Sequence, residues 1–331
     1  MSAPALLYPH HLDLWNPIHT IHRELATALS DRYRIVGFRD GVESPVETIH
    51  TKRIRIDANR LKKSVSYVRA YGDRYDLVHI GPSPRHRLAK LSQLRGAKIV
   101  HTLHSTPQDS AVITRQKSLS KKADALTAVS PYVREWAESE LDCNNVSVVP
   151  NGVDLDHFTP DRAPTEQRSL LFIGRFIERK HPELPVQIAR EIPEYTVKMR
   201  GGDASDIAGP VPENVEFLDY LSYDELADLY ASSQCILCPF EREGFGMVVI
   251  EAMAAGTPVI GLNHGNLSHL ITDRNGVLCE STDSSEWEDA IRRVINSYNA
   301  FSPRETVQKY AWSEIANKYD NIYTSLLPSN E

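Results

Sequence analysis

Two glutamates, Glu243 and Glu251, bracket seven uncharged residues in the stretch PFEREGFGMVVIEAMAAGTPVIG. Glu243 stands beside a Gly-Phe-Gly turn, and Glu251 lies in an apolar run that is typical of a helix beginning at that turn. A buried carboxylate needs hydrogen-bond donors, and sugar hydroxyls are donors. The spacing therefore favours a site in which each glutamate holds one sugar ring. The alternative is that Glu251 is a surface residue of an ordinary helix.

The turn between the glutamates also has the pattern of an anion site. Gly244 and Gly246 allow the backbone to approach a ligand closely. The helix that follows would direct its free amides and the positive end of its dipole at the same place. Such a turn suits a phosphate, which the glutamates themselves cannot bind.

A second segment, LLFIGRFIERKHPEL, places two cations near a strand end. Gly174 ends the predicted strand, Arg175 follows it directly, and Lys180 precedes the next helix. Charge-assisted hydrogen bonds from two such cations suit a diphosphate. The alternative is an exposed basic loop with no ligand.

Elements that alternate between strand and helix must position these residues. The sequence predicts strands at 5–8, 33–38, 76–80, 97–103, 125–129 and 146–149, and again at 169–174, 195–199, 214–218, 235–238 and 258–261. Helices are predicted at 17–30, 58–71, 84–94 and 131–141, and again at 182–191, 223–232, 247–255 and 284–299. Strand–helix alternation predicts parallel sheets covered by helices. Two such series predict an α/β protein of two Rossmann-like, doubly wound domains.

The domain boundary is predicted in the segment VVPNGVDLDHFTPDRAPTEQR, which is rich in turn and linker residues. We expect an N-terminal, acceptor-side domain at 1–160 and a C-terminal, nucleotide-sugar-binding domain at 161–309. The amphipathic segment at about 310–328 has no following strand to pair with. It is predicted to pack back on the first domain.

Four segments in order carry a resemblance to a known family: VVPNGVDLDHF, FIGRFIERKH, the long stretch from VEFLDYL to GTPVIG, and NGVLCE. From about residue 123 to the end, the chain resembles the retaining family-four glycosyltransferases of GT-B fold. The first 120 residues match only loosely, through YDLVHI and KIVHTLHST. The resemblance implies two domains that face each other across a cleft.

The resemblance also implies roles for single residues. Arg175 and Lys180 would bind the donor diphosphate, and Glu251 would bind the ribose of the nucleotide. Glu243 would hold hydroxyls of the transferred sugar. Amides of Phe245, Gly246 and Met247 would lie nearby, His104 would approach the sugar from the first domain, and Asn151 with Gly152 would belong to the hinge.

Three positions depart from the family pattern. A Gly-Gly loop is common near the acceptor, but this chain has Asn16 and Pro17 there, and Asn16 becomes an acceptor-side candidate together with His104. His181 follows Lys180 where glycine is usual, and His269 stands where an acid is usual. These changes bear on which sugar and which acceptor are used.

Composition indicates a globular protein with two unlike halves. Hydrophobic residues make up 41% of the 331 residues, and the net charge is −7. Residues 1–150 hold 22 basic and 15 acidic residues, whereas residues 151–331 hold 15 and 29. We expect the basic half to face a sugar or lipid-linked acceptor, with Arg60, Lys62 and Lys63 contacting an anionic membrane. The alternative is a chance imbalance between two solvated surfaces.

No metal, cofactor or nucleic acid is expected. Asp154 and Asp156 form an Asp-any-Asp pattern, but it lies in the predicted hinge. The four cysteines fit a reducing compartment, and Cys235 and Cys238 have no second pair with which to bind zinc. The N-terminus has no basic stretch before its apolar residues, so a cytoplasmic protein is expected. The predicted membrane contact would make it peripheral at the inner face of the membrane.

The resemblance, together with these patterns, implies a retaining, metal-independent transfer of a hexose from a UDP- or GDP-sugar to an acceptor hydroxyl. Two alternatives stay open at this point. One is a GT-B enzyme of another outcome, a phosphorylase or an epimerase, and the other is an inactive subunit that binds a sugar nucleotide.

Overall fold

The computed structural model describes residues 3–11, 17–39, 47–50, 75–81, 93, 96–163 and 168–328, with backbone alone at 9–11, 17–19, 37–39 and 47–50. These residues form two compact units. The first comprises residues 1–152 and 312–331, and the second comprises residues 153–311.

The first unit contains a parallel sheet of seven strands in the order β3-β2-β1-β4-β5-β6-β7. The strands are β1 Ala5–His11, β2 Arg34–Arg39, β3 Glu47–His50, β4 Leu77–Ile80, β5 Lys98–Leu103, β6 Ala125–Ala128 and β7 Val146–Val148. Its described helices are α1 Pro17–Ala28, α2 Ser110–Ser120, α3 Pro131–Glu140 and, from the end of the chain, α10 Trp312–Leu326.

The second unit contains a parallel sheet of six strands in the order β10-β9-β8-β11-β12-β13. The strands are β8 Ser169–Ile173, β9 Thr196–Arg200, β10 Val215–Leu218, β11 Cys235–Cys238, β12 Val259–Leu262 and β13 Gly276–Cys279. Its helices are α4 Glu183–Glu191, α5 Tyr223–Ser232, α6 Met247–Ala254, α7 Leu267–Leu270, α8 Ser284–Asn296 and α9 Pro303–Thr306. The predicted α/β fold with two doubly wound sheets is confirmed.

The first sheet is buried on both faces because the side chains of β1 alternate between two cores. Leu6 and Tyr8 belong to one core with Leu25 of α1, and Ala5 and Leu7 belong to the other. A strand covered on both faces reads as a continuous apolar run, which is why ALLY predicts a buried strand. Helix α10 adds Ile315, Ala316, Tyr319 and Tyr323 to the first of these cores.

Each predicted strand has a counterpart, but the sequence did not predict β3, β13, helix α2 or the four-residue helices α7 and α9. Both strands have only four residues, and β3 is largely polar. Helix α2 contains the β-branched run Val-Ile-Thr, which disfavours a helical reading. It forms because Asp109 caps it, accepting hydrogen bonds from the amides of Ala111 and Val112 at 2.8 and 3.0 Å. The predicted helices at 58–71 and 84–94 lie outside the described residues, apart from residue 93.

The units divide at Gly152/Val153 and at Ala311/Trp312, whereas the sequence placed the boundaries at 160/161 and near 310. Residues 153–160 belong to the second unit because this segment packs there. Phe158 is buried among the rings of Tyr223 and Tyr230, and Arg162 pairs with Asp224 and Asp228 on α5. Gly152 ends the first unit, where a Cβ would lie 2.3 Å from the Trp312 ring.

Arg304 fixes the segment after Gly152 to the second unit. Its guanidinium donates hydrogen bonds of 2.5–2.8 Å to the backbone carbonyls of Leu155, Phe158 and Ala254. Three carbonyls from two separate stretches of chain therefore depend on one side chain.

We expect Arg304→Met to lower the free energy of unfolding by about 2–4 kcal/mol, because three carbonyls lose a charged donor. The matched control is Arg274→Met, since Arg274 and Glu305 form an ion pair with both side chains 67% exposed. Loss of an exposed pair should change stability by less than about 1 kcal/mol. Urea denaturation of the three proteins measures the difference, and equal losses in the two variants would contradict the role of Arg304.

Candidate active site

The topology of the second sheet brings the two predicted donor segments together. The strand order reverses its direction between β8 and β11, which are neighbours in the sheet. In an open parallel sheet, this switch point opens a crevice at the carboxyl ends of the strands. Gly174, Arg175 and Lys180 follow β8, and Glu243 with the glycine turn follows β11. Both segments therefore lie at the same edge of the sheet.

Lys180 and Glu243 meet directly at this edge. Lys180 Nζ lies 2.6 Å from Glu243 Oε2, and the two side chains are only 12% and 21% exposed. Lys180 Nζ also lies 3.5 Å from the centroid of the Phe240 ring. A largely buried ammonium thus has one carboxylate and one aromatic ring as its partners.

A second contact between the same loops involves the residue that departs from the family pattern. His181 Nε2 lies 3.0 Å from Glu241 Oε1, and the Glu241 amide donates to the Arg179 carbonyl at 2.9 Å. His181 adopts the left-handed conformation with φ 46°, which glycine adopts more readily. The hydrogen bond to Glu241 helps to offset the strain of a side chain at this position.

Arg175 stands on a loop that is held by close backbone contacts. The Gly174 amide donates to the Arg200 carbonyl at 2.9 Å, and a Cβ on Gly201 would lie 2.1 Å from the Gly174 carbonyl oxygen. Glycine is required at position 201 for two reasons: its φ is 129°, and the Gly174 carbonyl oxygen leaves no room for a side chain. The Arg175 side chain is exposed and its guanidinium forms no ion pair or hydrogen bond with the described residues.

The glycine turn leads into α6 with free amides at its start. Gly246 precedes the helix with φ 100° and provides no side-chain cap, and Met247 is the first helical residue. The first amides of a helix have no acceptor within the helix. The predicted amides of Phe245, Gly246 and Met247 therefore lie at a helix N-terminus, and Gly244 lies in the turn before it.

The loop after β12 supports the glycine turn that precedes α6. The sequence did not predict this support. The Asn266 side chain donates to the Phe245 carbonyl at 2.7 Å, and the backbone amide of Asn266 donates to the Glu243 carbonyl at 3.0 Å. Gly265 has φ 62°, and a Cβ there would lie 2.9 Å from the Glu243 nitrogen. His264 Nδ1 accepts from the Arg242 amide at 3.0 Å. Only the conformation of the turn reveals these roles, because neither Asn266 nor His264 belongs to a chemical pattern.

Glu251 is held by a tyrosine from the neighbouring helix α5. The Tyr230 hydroxyl donates to Glu251 Oε2 at 3.0 Å. Burial raises the pKa of the Glu251 carboxyl from 4.5 to about 7, and the hydrogen bond from Tyr230 partly opposes this shift. Glu251 is therefore a partly buried carboxyl on the inner side of the helix, which disagrees with the surface alternative.

An exposed aromatic ring lies on the same unit near β9. Tyr220 is 78% exposed, which sets it apart from the large apolar side chains of the described residues. The Arg200 guanidinium lies over its ring, 5.8 Å from the centroid. Tyr220 follows β10, and Arg200 is the last residue of β9, so both stand at the carboxyl edge of the sheet.

His104 belongs to the first unit, where it follows β5. Burial lowers the pKa of its imidazole to about 4, so the ring is neutral at pH 7. Its two ring nitrogens are buried without a hydrogen-bond partner among the described residues. The ring centroid lies 5.7 Å from that of His22.

A buried polar network lies beside His104 and ties α10 to the sheet. His79 Nδ1 lies 2.6 Å from the Tyr323 hydroxyl, and His79 Nε2 lies 2.6 Å from Thr102 Oγ1. Tyr8 extends the network to Tyr323 at 3.0 Å, and Tyr319 approaches Thr102 at 3.1 Å. Burial holds the pKa of His79 well below its ordinary value, so this histidine is neutral.

Several predicted features lie outside the described residues: Asn16, and the basic residues Arg60, Lys62 and Lys63. The other acceptor-side candidate, His104, is described above. Pro17 is the first residue of α1. His269 lies in α7 and is exposed.

The residues of the Asp-any-Asp pattern and of the cysteine pair have other surroundings in the structure. Asp154 Oδ1 accepts from the amides of Asp156 and His157 at 3.0 and 2.9 Å and so stabilises a turn. Cys235 and Cys238 are buried free thiols, and burial raises the pKa of Cys235 to about 12. Within the described part of the chain, no group of three or more metal-ligating side chains is arranged to hold an ion.

Two family models match consecutive parts of the chain. The model of "Glycosyltransferase Family 4" matches residues 7–157, and that of "Glycosyl transferases group 1" matches residues 156–312. The chain belongs to the family-four glycosyltransferases of GT-B fold. Membership in this family makes it a glycosyltransferase.

Relatives within the family agree. The D-inositol 3-phosphate glycosyltransferase of Nocardioides sp. is 28% identical over 307 residues, a match that covers 75% of this chain and 67% of that protein. Among solved structures, the sucrose-phosphate synthase of Thermosynechococcus elongatus has a TM-score of 0.79 at 22% identity, covering 98% of this chain and 99% of that one. HepE of Anabaena, in complex with UDP and glucose, has a TM-score of 0.77 at 16% identity, covering 97% and 100%. At these identities, the structural likeness shows the fold.

None of the described helices is both long enough and apolar enough to cross a membrane.

We expect Glu251→Gln to stabilise the protein in a pH-dependent way. The folded pKa of about 7 exceeds the ordinary value of 4.5, so the folded state binds this proton more tightly. Stability from this group is therefore present below pH 4.5 and is lost as the pH rises through 7. Glutamine stays neutral and still accepts the hydrogen bond from Tyr230. The variant should match the wild type near pH 4.5 and exceed it by about 1–3 kcal/mol at pH 8.

Urea denaturation at the two pH values measures this difference. Glu216→Gln on β10 is the control, because Glu216 is exposed, and it should change stability by no more than about 0.5 kcal/mol at either pH. If the Glu251→Gln variant is less stable than the wild type at pH 8, its surroundings stabilise the ionised carboxylate, and the prediction is wrong.

Proposed function

We propose that the protein is a retaining glycosyltransferase that moves a hexose from a UDP- or GDP-sugar to an acceptor hydroxyl. The observation that carries the proposal is the meeting of Lys180 and Glu243 at the switch point, beside a helix N-terminus. Cations and amides suit the diphosphate of a donor, and the carboxylate suits the hydroxyls of its sugar. One edge of one sheet thus supplies groups for both parts of a nucleotide sugar.

The leaving diphosphate gains negative charge as its bond to the sugar breaks. In our proposal, Arg175, Lys180 and the amides at the start of α6 stabilise that charge, and no metal ion is needed. The backbone of the loop that carries Lys180 and the backbone of the glycine turn are held before the reaction by the His181–Glu241 contact and by the hydrogen bond from Asn266 to Phe245. Preorganised donors avoid the cost of reorientation during the reaction.

The ribose and the nucleobase of the donor also have candidate partners in the second unit. Glu251 is proposed to accept from the ribose hydroxyls, with Tyr230 holding its other oxygen. The exposed ring of Tyr220 offers a face on which a nucleobase can stack. The HepE structure holds UDP and glucose, which makes a UDP-sugar the first donor to test.

The acceptor is proposed to be a sugar or a lipid-linked sugar that the first unit binds. His104 is the described candidate in that unit, and its neutral imidazole can donate one hydrogen bond from one nitrogen and accept one at the other. The name of the Nocardioides relative makes an inositol phosphate the first acceptor to try. Contact with an anionic membrane through Arg60, Lys62 and Lys63 stays a prediction. Attack on the same face of the sugar as the leaving phosphate, with that phosphate taking the acceptor proton, would give retention.

A donor panel tests the proposed reaction. UDP-, GDP- and ADP-sugars are incubated with the protein, with and without an inositol phosphate, and release of the nucleoside diphosphate is followed. We expect release from one nucleotide class, a product with the donor's anomeric configuration by NMR, and full turnover in EDTA. Release from none of the donors would refute the transferase, whereas activity that only inorganic phosphate supports would favour a phosphorylase. Loss in EDTA with recovery in magnesium would refute metal independence.

Arg175→Ala and Lys180→Ala should each lower kcat by about 10²–10³-fold, because each removes charge that stabilises the transition state. Arg292→Ala is the control, since it removes the same charge from the exposed face of α8 in the same unit. Initial rates with the donor found above measure the effect. Near-normal turnover in both site variants would refute the assignment of the diphosphate site.

A further inference from the structure

Phe240 stands between the two loops that form the proposed donor site. It follows β11 and is 1% exposed. The edge of its ring faces Gly174, where a Cβ would lie 3.4 Å from ring carbons Cε1 and Cζ. Its ring also packs against Phe172 of β8, with centroids 5.8 Å apart and planes at 82°. The ring position is therefore fixed by the core beneath the site.

The face of this fixed ring lies against the Lys180 ammonium. The distance of 3.5 Å from Nζ to the ring centroid is well within the roughly 6 Å that defines a cation–π contact. Lysine has a flexible four-carbon stem, so its ammonium does not hold a position without partners. Lys180 has two, the Phe240 ring and the Glu243 carboxylate.

The two partners affect the charge of Lys180 differently. A carboxylate at 2.6 Å largely cancels the field of the ammonium at the place where a diphosphate would bind. A ring attracts the cation through its quadrupole and carries no net charge, so the field of the ammonium persists. The ring can therefore hold the cation without competing with an anionic ligand.

We infer that Phe240 is a positioning residue that keeps the Lys180 ammonium aimed at the donor diphosphate when Glu243 turns to the sugar hydroxyls. The inference rests on the proposed function of this site. An aliphatic side chain of similar size would cover the ammonium equally well, but would attract it less. The aromatic character of residue 240, rather than its bulk alone, is thus the property that matters.

Graded fluorination of the ring separates these two properties. Mono-, di- and trifluorinated phenylalanines at position 240 withdraw electron density from the ring face and change its size little. We expect the Kd for UDP-glucose, which supplies both the UDP group and sugar hydroxyls for Glu243, to rise with each fluorine when measured by calorimetry, and to increase about 2- to 30-fold for the trifluorinated ring or for Phe240→Leu. The same series at Phe172, which shares the aromatic cluster, should leave the Kd within about twofold.

A second series tests whether the effect passes through Lys180. In a Lys180→Met background, fluorination at 240 should leave the Kd unchanged, because the cation is gone. A fluorine gradient that persists without Lys180, or no gradient in the wild-type background, would overturn the inference. Equal losses for Phe240→Leu and Phe172→Leu without a gradient would show that the ring only fills space.

A measurement without ligand keeps this inference distinct from the proposed function. NMR of lysine-labelled protein should show the ε-methylene protons of Lys180 shifted upfield by the ring current of Phe240, with the signal assigned from Lys180→Met. The shift should disappear in Phe240→Leu. If UDP-glucose does not bind but the upfield shift is present, the proposed function fails and the contact stands; without the upfield shift, the positioning role is wrong.

Discussion

The adjacency of β8 and β11 at the switch point is the constraint on which the rest of the site depends. Because the two strands are neighbours in a parallel sheet, their following loops leave from the same edge. Lys180 and Glu243 are 63 residues apart in the chain but 2.6 Å apart in space. This adjacency brings the Lys180 ammonium to both the Glu243 carboxylate and the buried Phe240 ring.

The loops themselves are shaped by backbone conformations that most residues avoid. Gly201, Gly246 and Gly265 have positive φ, as do two residues with side chains, His181 and Arg242. Three contacts support the loops after β8 and β11: the hydrogen bond from the Arg242 amide to His264, the pairing of His181 with Glu241, and the donation from Asn266 to Phe245. Positive φ at residues with side chains, as at His181 and Arg242, is strained, and such strain is typical of sites in which geometry must be held before a ligand arrives.

The buried ionisable side chains of the two units differ in their state of charge. In the second unit, Lys180 forms an ion pair with Glu243, and Glu251 has a pKa near neutrality because burial disfavours its ionised form. In the first unit, burial keeps His79 and His104 neutral. Neutral imidazoles act there as hydrogen-bonding groups, and His79 uses both nitrogens to connect α10 to the sheet. Burial thus leaves Glu251 able to change its charge near pH 7, whereas it keeps His79 and His104 neutral at that pH.

The sequence by itself determined the α/β class and the two doubly wound sheets and located the segments predicted to bind a donor, because each of these is written in local patterns. Apolar runs specify parallel strands, Gly174 beside Arg175 marks a strand end, and Gly244 beside Glu243 marks the turn before a helix. Only the tertiary structure decided that Glu243 pairs with Lys180, that Phe240 lies beneath them, and that Tyr230 holds Glu251. These contacts join elements far apart in the chain, and phenylalanine or tyrosine in a strand or helix reads as ordinary core. The boundary after Gly152 was also decided by packing, since Phe158 and Arg304 attach a linker-like segment to the second unit.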